Sequence, residues 1–337
     1  MINKIWHLPI EPYETRYTVD WVKQFETEFL KSNINFETIF GISTTENLQV
    51  GQVLDCCGTH LYKFSQLYKL IDCINNNEVK DNDVIFFADL WFPGLESLLY
   101  IRNITKINFK ICGVLHAGTW DKHDFTHLNG MSAWGTYIER GWLEGVDVIF
   151  VATQFHKNLI EDYFNEKFNK IHVTGIPFYA QKLQRYRTDK ENLVVFPHRN
   201  SVEKNPDLFD KLSEDPELQK FTFIKTLDVC KTREEYFQLL GKAKYMVSFA
   251  EQETFGYSTV ESMALGCHVI VPNALSYTET VPWSNWYYKY KVKDKWVNEV
   301  KKAILKAELE GTVTDYTEVL SRWSNSISNM IKILKGE

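Results

Sequence analysis

Long apolar runs are missing from this 337-residue sequence: no window approaches the roughly 20 apolar residues that a membrane-spanning helix requires. The start, MINKIWHLPI, offers one lysine and a short apolar run broken by His7 and Pro9, which is too little for a secretory leader, so the expected location is the cytoplasm. Cysteine is also scarce. The six present (Cys56, Cys57, Cys73, Cys112, Cys230, Cys267) show no C-x-x-C spacing, which excludes a zinc ribbon and argues against a disulfide scaffold; reduced, mostly buried thiols are expected. Glycine-rich phosphate loops are lacking too. The first apolar stretch runs into PIEPYETRYTVDW with no G-x-G-x-x-G, and there is neither a Walker loop nor a G-x-S-x-G elbow, which disfavours a dinucleotide-dependent redox enzyme, a P-loop nucleotidase and an α/β hydrolase.

A positive charge excess is the last absence. The chain carries 38 Lys and Arg against 44 Asp and Glu, a formal charge of −6, and residues 1–180 hold 15 basic against 22 acidic side chains. A broad polyanion-coating role is therefore weakened, while a local basic groove stays open. The hydrophobic content of 44% is enough for two packed cores, and the length exceeds the roughly 100–200 residues of one domain, so two domains are expected.

Apolar runs of strand length recur with helix-length segments between them: KIWHLPI, INFETIF, DVIFFADL, FKICGVLH, VDVIFVAT and KIHVTGIP. Runs this apolar suit strands covered on both faces, and the alternation implies parallel pairing through helical crossovers. Residues 1–180 read as one doubly wound domain. QKLQRYRTDKEN is polar and aperiodic and reads as a linker over 181–191. The pattern restarts in 192–315 with LVVFPHR, FTFIKTL, KYMVSFA and CHVIVPN, and with helical segments near 204–213, 231–242, 257–265 and 294–309. In 316–337, Val319, Leu320, Trp323, Ile327, Met330, Ile331 and Leu334 recur at helical spacing, predicting an amphipathic C-terminal helix with the option of crossing back to the first domain.

The stretch EQETFGYSTVESMALGCHVIVPN carries the chemistry. If KYMVSFA is a strand and YSTVESMALG a helix, then EQETFG lies at the strand's C-terminal end and the helix N-terminus, where open α/β sheets bind ligands and unpaired N–H groups suit phosphate oxygens. Gly256 permits close backbone approach. Glu253 and Glu261, at different depths, are placed to bind different hydroxyls of one elongated ligand; the plainer alternative is an acidic loop and a solvated helical glutamate.

This string resembles the E-x7-E signature of retaining nucleotide-sugar glycosyltransferases of the GT-B fold, family-4 type. VVFPHRNSVEKNPDLF is similar to that family's strand, arginine, loop and glutamate-lysine-asparagine run, and VLHAG is similar to its cleft-facing histidine at a strand end. The resemblance implies an α/β fold of two Rossmann-like domains facing across a cleft, acceptor on the first and donor on the second. It implies that Glu253 binds hydroxyls of the donor sugar, Glu261 the ribose, and Arg199 with Lys204 the diphosphate, assisted by backbone at Thr254, Phe255 and Gly256. His116 would stand by the transferred sugar, and His116, Glu253, Arg199 and Lys204 form the catalytic set. The co-substrate is a nucleotide sugar, expected as a UDP-sugar, with no cofactor and no metal. His123 and His127, four apart, have the spacing of helical metal ligands but lack further ligands beside them.

Two departures stand out: no glycine precedes Arg199, and SYTETV lacks the glycine pair expected before Glu279. The acceptor is open. Lys182, Arg185 and Arg187 around Tyr186, and WYYKYKVKDKW with lysines interleaved among aromatics, fit either a solvated edge or contacts to nucleic acid. HLPIEPYETRYTVDW resembles the N-terminus of bacteriophage glycosyltransferases, some of which glycosylate hydroxymethylated DNA bases. The acceptor candidates are Glu11, Glu14, Arg16, Asp121, Lys182, Arg185 and Arg187. The first expectation is transfer of a glucose-like or pentose sugar to 5-hydroxymethyl-pyrimidine in phage double-stranded DNA. The alternatives are a cell-envelope glycan or small-molecule acceptor, and a non-catalytic nucleotide or nucleic-acid binding module.

Overall fold

A computed structural model of the chain describes residues 2–14, 16–44 and 55–337. It divides into two compact units, Met1–Pro177 with Asn325–Glu337, and Phe178–Ser324.

In unit 1 the order is β1 (Ile5–Leu8), α1 (Thr18–Lys31), β2 (Phe36–Thr38), α2 (Cys56–Asn75), β3 (Val84–Phe87), α3 (Leu95–Thr105) and β4 (Lys110–Val114). There follow α4 (Phe125–Leu128), α5 (Ser132–Gly145), β5 (Val148–Val151), α6 (Gln154–Phe164) and β6 (Ile171–Val173). The six strands pair in parallel in the order β2-β1-β3-β4-β5-β6, in register Ile5 with Val84 and Val84 with Lys110. β1 and β3 are wholly buried, which is why their sequences are unbroken apolar runs instead of alternating ones. The core gathers Trp6, Leu70, Ile85, Phe87, Leu98 and Ile111 between sheet and helices.

Unit 2 holds β7 (Glu191–Phe196), α7 (Pro206–Ser213), β8 (Thr222–Lys225), α8 (Thr226–Val229), α9 (Arg233–Lys242), β9 (Ala243–Val247) and α10 (Tyr257–Ala264). It continues with β10 (His268–Pro272), α11 (Tyr277–Thr280), β11 (Trp286–Tyr287), α12 (Asp294–Glu310) and α13 (Thr317–Ser321). Its parallel sheet runs β11-β10-β9-β7-β8, around a core of Val194, Phe196, Leu212, Tyr245, Val247 and Ile304. In each sheet the order of strand addition reverses once, between β1 and β3 in unit 1 and between β7 and β9 in unit 2. Crevices at the carboxyl ends of strands flanking such a reversal are where open α/β sheets hold ligands.

Three expectations change in detail. The polar stretch assigned to a linker over 181–191 holds a short 3-10 helix, Ala180–Tyr186, then four residues without regular structure and the first residue of β7, and the division between units lies at Pro177 and Phe178. Its two buried residues, Ala180 and Leu183, are too few to register as periodicity, yet they tie the segment to unit 2. The single C-terminal helix is two, α13 and α14 (Ser326–Lys335), separated by a turn; α14 belongs to unit 1 and packs on α1, with Lys335 reaching the Ser32 carbonyl at 3.4 Å. The lysine-aromatic stretch forms a strand only at Trp286–Tyr287, and α12 begins within it at Asp294, so its alternation does not create two strand faces.

Candidate functional site

In unit 2 the residues singled out from sequence converge on the β7/β9 reversal. After β7 the chain passes His198 and Arg199 into a 3-10 turn, Val202–Lys204, which ends at Asn205 in the left-handed region (φ 52°) before Pro206 opens α7. Proline at a first helical position needs no partner for an N–H it lacks, and asparagine tolerates the left-handed backbone, so the Asn205-Pro206 step in KNPDLF makes this sharp corner at little cost.

The loop after β9 is laced to that corner. Glu251 N–H donates to the Glu203 carbonyl at 2.8 Å, Asn205 Nδ2 to the Phe249 carbonyl at 2.8 Å, and Lys204 Nζ to the Gln252 carbonyl and, at 3.2 Å, to Glu253 Oε2. Lys204 is only 5% exposed. An ammonium has three donors, so these two contacts leave one N–H for a ligand. Arg199 Nη2 meets Glu203 Oε1 at 3.1 Å while its side chain keeps substantial exposure, leaving most of its guanidinium donors unspent. Burial pushes the Glu203 carboxyl up, but the Ser201 hydroxyl and the charges of Arg199 and Lys204 outweigh it and hold Glu203 below its ordinary range.

Gly256 takes φ +88° and caps α10; a Cβ there would stand 3.2 Å from Tyr277 Cε1 and 3.5 Å from Glu253 Cγ. Thr254 lies in this loop, and Phe255 is buried with its ring edge-on to Tyr257 and Trp323, which pins the backbone at the helix entrance. Glu261, inside α10 and 8% exposed, accepts from the Tyr236 hydroxyl at 3.1 Å and lies 3.6 Å from Arg233 Nη2. Burial, then the Glu261 charge, pushes the Tyr236 phenol well up, so it stays a donor.

Sequence reasoning passed over four contributors here. Tyr236 and Arg233 hold Glu261 from α9; a Thr-x-x-Glu capping signature at Thr232–Glu235 marks that helix start but says nothing of the carboxylate it faces. Lys293, from the lysine-aromatic stretch, bonds Glu251 Oε2 at 2.5 Å and Asn205 Oδ1 at 2.9 Å. His198 occupies the place of the missing glycine: it is buried, its Nδ1 lies 3.3 Å from Ser258 Oγ, and burial followed by the nearby Lys204 and Arg199 charges keeps it neutral.

No family model matches the chain. Among curated proteins, 39 residues are 51% identical to an alpha-1,6-glucosyltransferase of Actinobacillus pleuropneumoniae serotype 7 (strain AP76), 12% of this chain and 12% of that one. A 55-residue match is 40% identical to a tRNA-queuosine alpha-mannosyltransferase of Drosophila melanogaster, 16% of this chain and 15% of that one. The matches thus span less than a sixth of the length of either relative. Solved structures match end to end. A sucrose-phosphate synthase from Thermosynechococcus elongatus superposes with a TM-score of 0.68 at 12% identity, covering 99% of this chain and 98% of that one. HepE of Anabaena, in complex with UDP and glucose, gives 0.59 at 14% identity over 99% and 98%. The lipopolysaccharide outer core galactosyltransferase WaaB gives 0.59 at 12% identity over 97% and 99%.

The fold is that of the GT-B glycosyltransferases.

Unit 1 carries His116, Asp121, Glu11, Glu14 and Arg16. His116 follows β4, donates from Nε2 to the Ala88 carbonyl at 2.9 Å and lies 5.1 Å from the Trp21 ring; burial lowers its pKa and keeps the ring neutral with Nδ1 as acceptor. The loop after it is held by Glu139 of α5, which accepts from Thr119 N–H at 2.9 Å, the Thr119 hydroxyl and Trp91 Nε1 at 2.9 Å, while burial pushes its carboxyl up. Asp121 accepts from the His123 backbone N–H at 3.0 Å, and His127 Nδ1 donates to the Thr119 carbonyl at 2.8 Å, so the His127 ring serves the loop. Among the described residues no group of three or more metal-ligating side chains comes together.

Glu11 is 4% exposed and accepts from Ser43 Oγ at 2.5 Å; Glu14 is exposed in the following turn, and Arg16 N–H bonds the Tyr13 carbonyl at 2.9 Å. In unit 2, Arg187 donates to the Thr314 carbonyl at 2.9 Å, Arg185 to the Tyr186 hydroxyl at 2.9 Å, and Lys182 stands over the Tyr179 ring. Lys289 and Lys295 lie over the Trp296 and Tyr290 rings. Among the described residues no helix is long and apolar enough to cross a membrane.

Proposed function

We propose that this chain is a retaining glycosyltransferase that moves a sugar from a UDP-sugar to a hydroxyl acceptor. The observation that carries the reading is the gathering, at the β7/β9 reversal, of Arg199 with unspent donors, Lys204 with one, the glycine-opened N-terminus of α10, and two carboxylates at different depths. As the bond from the anomeric carbon to the phosphate oxygen breaks, the electron pair leaves with the diphosphate. Fixed cations and helix N–H groups oriented beforehand stabilise that charge without reorganising. Glu253, held by Lys204, receives hydroxyls of the sugar, and Glu261, held by Tyr236, receives those of the ribose; a carboxylate has about four acceptor directions, enough for both tasks. With retention, the acceptor oxygen bonds the anomeric carbon on the face the phosphate leaves, and its proton passes to the departing phosphate oxygen. The relatives' names support the donor: HepE is solved with UDP and glucose, and both short curated matches are glycosyl transfer enzymes.

The acceptor reading weighs hydroxymethylated duplex DNA against a glycan or small molecule. Arg187, Arg185 and Lys293 are engaged within unit 2, which lowers the share of cations open to a phosphate backbone and favours the glycan or small molecule. The deciding experiment incubates the protein with UDP-sugars and either hydroxymethylated DNA, unmodified DNA or neutral glycans, reading UDP release and product mass. A hexose or pentose mass gain on an acceptor is expected. UDP binding with no UDP release on any acceptor would leave a binding module and overturn the reading.

A further inference from the structure

In unit 1 a cavity of about 70 Å³ opens at the β1/β3 reversal, between the loop after β1 and helix α2. By volume it holds roughly five water-sized groups. Its walls include Pro9, Glu11 and Arg16 from the loop, Tyr62 and Lys63 from α2, and Asp89 after β3. The frame is firm: Gln66 Nε2 donates to both the Pro9 and Ile39 carbonyls at 2.9 Å, tying α2 to the β1 and β2 ends.

Two lining groups are left incomplete. Glu11 Oε2 has no hydrogen-bond partner among the described residues although its other oxygen receives Ser43. The Tyr62 hydroxyl, 2% exposed, has no acceptor for its proton among them, and burial, reinforced by the Glu11 charge, pushes the phenol up so that the proton stays. A buried acceptor without a donor and a buried donor without an acceptor are each costly, by about 1–3 kcal/mol. Lys63 is better served, with Asp89 Oδ2 at 2.9 Å and the Trp91 carbonyl at 2.6 Å, two acceptors for its three donors.

We propose that this cavity is the acceptor subsite and that it takes an uncharged hydroxyl of a polyol, which donates to Glu11 Oε2 and accepts from the Tyr62 hydroxyl. The pair selects the chemistry. A phosphate brings negative charge against the buried Glu11 carboxylate, which disfavours it even where it still carries a proton. An ammonium satisfies Glu11 but has no lone pair for Tyr62. A hydroxyl has both, and the neutralised Lys63–Asp89 pair adds no net charge. Calling it the acceptor subsite rests on the transferase reading above; the polyol chemistry does not.

The test uses the full chain with UDP present and ligand-observed magnetic resonance to titrate methyl α-glucopyranoside, inorganic phosphate and methylammonium. The glucoside should bind in preference to both ions, and Glu11→Gln, which turns the acceptor into a donor, should weaken it at least about fivefold, with Tyr62→Phe weakening it similarly. Near-ultraviolet circular dichroism checks that each variant folds, and the Phe variant preserves the ring if the Gln variant does not. Glucoside affinity unchanged in both variants, tighter binding of either ion, or a cavity that takes only water would overturn the proposal. UDP affinity, read in the same samples, separates the readings: its absence sinks the donor site alone, and its presence without glucoside binding sinks this subsite alone.

Discussion

Replacing Lys204 by methionine keeps most of the stem's volume and deletes the charge that joins the β7 corner to the β9 loop. The Gln252 carbonyl loses its donor and Glu253 loses its cation in a place where Lys204 is 5% exposed. Breaking a buried pair costs about 3–5 kcal/mol, but Glu253 retains some solvent access (18% of its side chain), which lowers the expected cost to about 2–3 kcal/mol. For a unit of this size that is a fall in melting temperature of roughly 5–10 °C. The ligand should report separately. One charge-assisted hydrogen bond to phosphate is worth about 1.5–3 kcal/mol, so UDP affinity by calorimetry should fall on the order of 10- to 100-fold. Adding Glu253→Gln to Lys204→Met removes the stranded carboxylate and should restore part of the stability but none of the UDP affinity. Glu253→Gln alone should spare UDP and weaken UDP-glucose. A Lys204→Met protein that melts within about 2 °C of the parent and binds UDP as tightly would refute both the buried pair and the phosphate role.

Two further outcomes follow from the same geometry. Gly256→Ala places a Cβ on a left-handed backbone against Tyr277 and Glu253, and should cost about 1–2 kcal/mol in denaturant unfolding while loosening UDP; a change under about 0.5 kcal/mol would mean the loop relaxes freely. His7 and His156 are each pushed down to about 3 by burial, and so stay neutral when folded. The unfolded chain takes up their protons below about 6.5, so each removes about 1.4 kcal/mol of stability per pH unit as pH falls from there towards 3. The pair should give a slope near 2.7 kcal/mol per unit; melting temperatures flat between pH 6.5 and 5 would contradict their burial.

Much of the fold was legible because both sheets are parallel and covered on both faces, so each central strand announced itself as an apolar run: DVIFFADL became β3, LVVFPHR β7 and CHVIVPN β10. The residues of the donor-side candidate were legible because the reversal point brings neighbouring loops together, and Arg199, Lys204 and Glu253 sit on two such loops. What was not legible depends on contacts distant in sequence. Lys293 reaches Glu251 across 42 residues, Tyr236 reaches Glu261 across 25, and neither pattern has a local period. The lysine-aromatic stretch misled for a related reason. Its alternation mimics a strand, but β11 pairs with β10 at only two residues, Lys289 and Lys295 settle over rings, and Lys293 joins Glu251.

The membership of α14 in unit 1 makes unit 2 an insertion in the chain order of unit 1. During synthesis, therefore, unit 1 waits. The face of α1 that α14 covers is made in the first 31 residues, whereas Ile327, Met330, Ile331 and Leu334 follow only after all of unit 2 has been translated. Until then the nascent protein carries an uncapped apolar strip, and any premature stop beyond unit 2 leaves it so permanently, with the penalty appearing as aggregation of unit 1 though the residues lost adjoin the sequence of unit 2.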